Sequence, residues 1–140
     1  MLPHTVVVDF AVALLLTSVA ADLLSKFAED EEFRIVATWT LVFGSMAAIF
    51  AAMSGYAAYS DAAPTGVAEA VVLKHRNAGL VTLACFVPAA VWRMLLRGHA
   101  PGKNAVGYWS LVLIGTGAVL VTAYLGGTAV FRHGVGVLNG

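Results

Sequence analysis

The residues in this chain best suited to carry chemistry are its four histidines, His4, His75, His99 and His133. Imidazole is the commonest protein ligand for metal ions, and it is also an axial ligand of haem iron. A site of either kind needs several imidazoles at the same depth of the fold. Whether these four can meet depends on the elements that carry them.

The composition identifies those elements as membrane-spanning helices. Of the 140 residues, 60% are hydrophobic and only 11% are charged, whereas ordinary soluble domains carry about 25% charged residues. A transmembrane helix needs about 20 consecutive apolar residues. The chain therefore has room for a few spans with short connections, and we expect residues 1–140 to form one domain.

Four apolar segments of sufficient length follow one another. We predict spans over residues 5–24, 35–59, 75–96 and 108–131, and a charged loop from Ser25 to Arg34. Short connections make consecutive helices antiparallel neighbours. The predicted fold is all-α, an up-down-up-down bundle of four transmembrane helices in the lipid bilayer.

This threading brings three of the histidines to one membrane interface. His4 begins the first span, His75 enters the third and His133 ends the fourth, whereas His99 lies in a loop at the opposite interface. Ionisable groups at membrane depth are functional candidates by default. The sequence therefore predicts a shared site at the end of the bundle that holds the two termini.

A b-type haem is one ligand that such a site could hold. In this interpretation His75 and His133, from adjacent antiparallel spans, are the axial ligands, and His4 or Asp9 supports them. Basic side chains beside the histidines are candidates for charge-assisted contacts with the haem propionates; they are Lys74, Arg76 and Arg132.

A divalent metal ion is the second possibility. The set His4, Asp9, His75 and His133 matches the ligands of Zn²⁺ or Cu²⁺. Asp9 lies a turn and a half inside the first span, where a carboxylate must face the bundle interior, a water-filled cavity or a cation. We expect it to orient or ligate a site residue, with a helix-dipole role as the alternative. Asp22, near the opposite interface, is interpreted as a helix-end residue.

Two segments resemble a known family. Residues 4–15, HTVVVDFAVALL, are similar to the opening of the DUF2231 family of small four-helix membrane proteins, whose pattern reads His-Pro-x-x-Val-His-Phe-Pro-Ile-Ala-Leu. The ending, Gly126-Gly127 followed by FRHGVGV at 131–137, resembles that family's ending, and His75 falls where the family has a histidine. Asp9 stands in place of the family's second histidine. Since some members are joined to Rieske-type iron-sulfur domains, the resemblance implies redox work with a haem or metal at the helix ends.

These observations predict an integral membrane protein that transfers electrons between a quinone-level donor and a redox partner. A non-catalytic accessory or scaffold subunit of a larger membrane complex, without any cofactor, remains open. The chain has no Ser-His-Asp spacing, glycine-rich phosphate loop or HExxH motif, so no catalytic residue is predicted and the protein is not expected to be an enzyme on its own. Its net charge of zero gives no support to nucleic-acid binding.

The basic residues predict the orientation in the membrane. The side with both termini carries three, Lys74, Arg76 and Arg132, and the opposite side carries five, Lys26, Arg34, Arg93, Arg97 and Lys103. Cytoplasmic loops are enriched in Lys and Arg. We therefore expect a multi-pass protein of the bacterial inner membrane with both termini outside the cytoplasm.

Overall fold

A computed structural model describes residues 2–102 and 105–136, with side chains from residue 4 onward. In these residues the chain forms four helices, α1 (Leu2–Ala28), α2 (Glu31–Ala62), α3 (Gly66–Leu95) and α4 (Val106–His133), and no strand. Each helix is long and apolar enough to cross a membrane. The predicted all-α fold class with four spanning helices is confirmed.

The helices are longer than the apolar segments that predicted them. The prediction of a loop from Ser25 to Arg34 is wrong, because only Glu29 and Asp30 separate α1 from α2. The charged residues at the helix ends lie outside the hydrocarbon region but are still helical, since Glu and Lys are good helix formers in water. The Asp30 carboxylate then caps α2 by accepting a hydrogen bond from the Glu32 backbone N–H at 2.8 Å.

Contacts between the helices define their order and direction. α1 packs against α2, α2 against α3, α3 against α4, and α1 less extensively against α4. His4 lies against Gly55 and Leu15 lies against Gly44, so α1 and α2 run in opposite directions. α2 and α3 are also antiparallel, since Thr38 lies against Arg93 and Ser45 against Phe86. α3 and α4 are antiparallel as well, since His75 lies against Gly126 and Phe86 against Gly115. The order places α1 diagonally opposite α3.

Glycines allow the closest approaches in the core. A Cβ on Gly115 of α4 would lie 2.8 Å from a ring carbon of Phe86 and 2.9 Å from the Cys85 Cβ on α3. Phe86 is fully buried and belongs to the main apolar core with Leu15, Leu41 and Val119. Small residues at such crossings let helix backbones pack tightly in lipid.

Replacing Gly115 with Ala is therefore expected to destabilise the bundle by about 1–3 kcal/mol, the usual effect of overpacking a core. Gly117 is the matched control, because it is exposed on the same helix and an added Cβ would meet nothing within 4 Å. Unfolding in mixed detergent, followed by circular dichroism, measures both. Equal stability of the two variants would contradict this account of the α3–α4 contact.

Candidate functional site

Two of the predicted site histidines meet near one end of the bundle. His4 in α1 and His75 in α3 are both half-buried. Their ring centres lie 6.4 Å apart and their planes are 87° apart. We call these two residues the histidine pair. It joins diagonal helices across the bundle, so the pair lies between α2 and α4.

The tautomer of His75 is fixed by a backbone group of α4. Its Nδ1 lies 2.9 Å from the carbonyl oxygen of Thr122. A carbonyl can only accept a hydrogen bond, so Nδ1 carries the proton and donates it. In the neutral imidazole the lone pair is then on Nε2. His75 is therefore held in the form that can bind a metal through Nε2.

His4 is held in the same form by α2. Its Nδ1 lies 3.0 Å from the hydroxyl oxygen of Ser54. That hydroxyl donates its own hydrogen to the carbonyl of Ala51 at 3.1 Å, so its oxygen accepts the proton on Nδ1 of His4. Metal-binding histidines are commonly oriented by such an anchor on the second ring nitrogen. Both members of the histidine pair thus carry their lone pair on Nε2.

A glycine lies against each ring. A Cβ on Gly55 of α2 would lie 2.9 Å from Cε1 of His4, and one on Gly126 of α4 would lie 3.0 Å from Cε1 of His75. A larger residue at either position would require the imidazole to shift. The residue that lies against a given glycine cannot be read from the sequence of one helix.

The other two histidines lie apart from the pair. His133 is exposed at the end of α4, two turns or about 10 Å along the axis from Gly126. Among the described residues, the imidazole beside His75 is that of His4 and not that of His133. His99 is exposed beyond the far end of α3, with its Nδ1 3.1 Å from the carbonyl of Leu96.

Asp9 does not face the bundle interior, and its expected role in orienting or ligating a site residue stays a prediction. Its side chain is exposed, because a residue five positions after His4 is rotated about 140° around the helix from it. In the described part of the chain, no three His, Cys, Asp or Glu side chains are grouped to hold a metal ion. The predicted set of His4, Asp9, His75 and His133 is therefore not assembled as one metal centre.

The three basic residues expected to meet propionates lie at the same end of the bundle as the histidine pair. Lys74 and Arg76 flank His75, Arg132 lies in the last turn of α4, and all three are exposed. Their pairing with a cofactor stays a prediction.

A second polar cluster lies at the opposite end, and sequence reasoning missed it. Arg93 of α3 is fully buried, and its Nη1 donates to both carboxylate oxygens of Asp22 in α1, at 2.6 and 2.7 Å. The same nitrogen lies 3.3 Å from the hydroxyl of Tyr108 in α4, and Nε donates to the hydroxyl of Thr38 in α2 at 3.0 Å. We call these four residues the arginine cluster. It connects all four helices.

Backbone carbonyls complete the arginine cluster. Arg93 donates to the carbonyl of Arg34 through Nη2 at 3.3 Å and to that of Gly98 through Nε at 3.4 Å. The Gly98 carbonyl also accepts from the Thr38 hydroxyl at 2.9 Å. Every buried side-chain nitrogen or oxygen in the described residues has a hydrogen-bond partner. A signal was present in the sequence, since Asp22 and Arg93 are opposite charges inside two predicted spans that end at the same interface.

Comparison with known proteins identifies the family. A sequence profile of DUF2231, described as a predicted membrane protein, matches residues 3–139. The chain belongs to this family. No curated protein and no solved structure shows significant similarity to the chain. Both the histidine pair and the arginine cluster of this DUF2231 protein lie within the matched range, and its four apolar helices agree with a multi-pass membrane protein.

Proposed function

We propose that this DUF2231 protein is an electron-transfer membrane protein in which His4 and His75 are the axial ligands of a b-type haem. The observation that carries the proposal is the histidine pair, two imidazoles from diagonal helices that both carry the lone pair on Nε2 and whose ring centres lie 6.4 Å apart. Relative to the sequence-based hypothesis, His4 takes the place of His133.

The spacing fits two ligands on opposite sides of one ion. With each ligating nitrogen about 2 Å from the metal, imidazoles on opposite sides have ring centres about 6.5 Å apart, whereas two corners of a tetrahedron bring them to about 5 Å. The histidine pair has the first spacing. His4 and His75 would therefore be the residues that hold haem iron, since their ring centres lie farther apart than those of two ligands in a tetrahedral zinc site.

The number of donors favours the same cofactor. A zinc site takes three or four protein ligands, and the described residues group no three suitable side chains. A haem brings the nitrogens of its own macrocycle, so one or two axial ligands from the protein suffice. Two histidines without a third donor are thus a sufficient set for haem and an incomplete one for zinc.

The surrounding residues have separable roles in this proposal. Ser54 and the Thr122 carbonyl fix the orientation of the two rings through Nδ1. Gly55 and Gly126 leave room for the rings against α2 and α4. At the aqueous edge, Lys74, Arg76 and Arg132 would neutralise the haem carboxylates.

When bound, the haem supplies one-electron exchange, and the chain supplies its position. The histidine pair lies near one end of the spanning helices, within reach of a membrane-soluble donor of quinone type and of a redox subunit in the adjoining aqueous phase. We propose these two classes of redox partner, and we propose no separate substrate-binding site on the chain.

The test is the optical spectrum of the protein purified from membranes of cells supplied with a haem precursor. We expect sharp visible bands that intensify on dithionite reduction, with one haem per chain. A protein that stays colourless when folded, and that binds no added haemin saturably, would contradict the proposal and favour an accessory subunit without a cofactor.

We also propose that both termini lie outside the cytoplasm. Arg93 is buried inside α3 and paired with Asp22, so it is left out of the count of basic residues. Four then remain on the side of the α1–α2 and α3–α4 connections and three on the side of the termini. One of the four, Lys103, lies outside the described residues. The excess of basic residues is still on the side opposite the termini, which the positive-inside rule assigns to the cytoplasm. A periplasm-dependent reporter fused after Gly140 is expected to be active, whereas activity of a cytoplasm-dependent reporter there would reverse the orientation.

A further inference from the structure

A groove with a basic end and an apolar wall opens between the start of α2 and the end of α3. Its volume is about 310 Å³. Its lining combines the basic side chains of Arg34 and Arg97 with the apolar side chains of Ile35, Trp39 and Met94, and Thr38 and Gly98 complete it. The groove lies at the opposite end of the bundle from the histidine pair, and no part of the proposed function uses it.

The basic end carries an uncompensated charge. The Arg34 guanidinium is paired with Glu31 and also donates to the Gly98 carbonyl at 3.4 Å. Arg97, two residues beyond α3, is exposed and forms no ion pair with another described residue. A guanidinium has five N–H donors in a fixed planar arrangement that matches phosphate oxygens. This end of the groove therefore suits a phosphate group.

The wall of the groove suits a hydrocarbon chain. Ile35, Trp39 and Met94 are each about half exposed. Ile35 and Trp39 are four residues apart in α2 and share one face of the helix. Trp39 lies little more than one turn after Arg34, the last charged residue before the apolar part of α2. A tryptophan at this depth lies at the level of the lipid headgroups.

We propose that this groove binds a membrane phospholipid, with its phosphodiester on Arg97 and Arg34 and one acyl chain along Ile35, Trp39 and Met94. The juxtaposition of a basic end and an apolar wall at headgroup depth fits the two halves of that molecule. A free phosphate ion would use only the basic end. The proposal does not depend on haem binding.

The test uses fluorescence quenching of Trp39. Changing Trp92 and Trp109 to Phe leaves Trp39 as the only tryptophan of the three in the sequence, and this protein is titrated in dodecyl maltoside with phosphatidylglycerol brominated on its acyl chains. We expect saturable quenching. Arg97→Gln should weaken binding by about tenfold or more, since hydrogen bonds to charged groups have that magnitude, and Arg97→Lys should restore part of it.

The matched control is Arg132→Gln, which removes the same charge from an exposed position at the other end of the bundle and should leave the titration unchanged. Brominated diacylglycerol, which lacks the phosphate, should quench weakly and without saturation, and excess inorganic phosphate should not displace the lipid. Equal quenching in wild type and Arg97→Gln, or by diacylglycerol, would overturn the proposal. Displacement by inorganic phosphate would show an anion site instead of a lipid site.

Discussion

Replacing Asp22 with Asn is expected to destabilise the bundle by about 3–5 kcal/mol, the usual effect of removing one member of a buried ion pair. Arg93 is fully buried and has Asp22 as its charged partner. Without that carboxylate the guanidinium would keep its charge in a dry environment, because arginine cannot be deprotonated in a protein. α1 would lose its ion pair with α3, whereas the contacts of Arg93 with Thr38 and Tyr108 would remain.

The measurement is the free energy of unfolding in mixed detergent micelles, with two comparison variants. The double change Asp22→Leu and Arg93→Met removes both charges and should recover most of the lost stability, since apolar pairs often replace buried ion pairs without loss. Tyr108→Phe removes one hydrogen bond of 3.3 Å and should cost only about 0.5–1.5 kcal/mol. An Asp22→Asn protein within 1 kcal/mol of wild type would contradict the role given to the arginine cluster.

Replacing either His4 or His75 with Ala is expected to abolish stoichiometric haem binding, because each would remove one of the two axial ligands. Ser54→Ala keeps both imidazoles and removes only the hydroxyl that lies 3.0 Å from Nδ1 of His4. Losing such an anchor typically weakens metal binding about 10- to 100-fold. The graded order of the three variants distinguishes ligands from the residue that orients one of them.

Two other histidines provide matched controls. His133→Ala and His99→Ala remove exposed imidazoles and should leave the haem content and the reduced spectrum unchanged. Haem content per folded chain, determined after denaturation in pyridine, is the measurement for all five variants. Loss of haem in His133→Ala with retention in His4→Ala would instead support the axial pair inferred from the sequence alone.

The sequence was sufficient to predict the four spans and the end of the bundle at which His4 and His75 lie. Both follow from the apolar content of long segments and from the short connections between them, which leave few arrangements open. Helix ends were harder to predict, as the helical residues 25–28 and 31–34 show. Charge marks where a span leaves the hydrocarbon region, and it does not mark where the helix stops.

The pairing of particular side chains was not predictable, because it depends on the rotation of each helix about its axis. Depth alone made His133 as good a partner for His75 as His4. The rotation that turns His4 toward the bundle is the one that turns Asp9 out of it, since the two are about 140° apart. Small residues such as Gly44, Gly55 and Gly126 determine how closely the helices approach one another. The distances between helices cannot be read from the order of residues in the sequence.

The most direct test of the histidine pair is the low-temperature electron paramagnetic resonance spectrum of the oxidised protein. Two axial imidazoles with planes 87° apart should give low-spin ferric haem with the single large-g feature of perpendicular axial ligands. His4→Ala and His75→Ala proteins supplied with haemin should lose that feature, whereas His133→Ala should keep it. A high-spin ferric signal in wild type, or no haem iron signal at all, would contradict the assignment of His4 and His75 as the axial ligands.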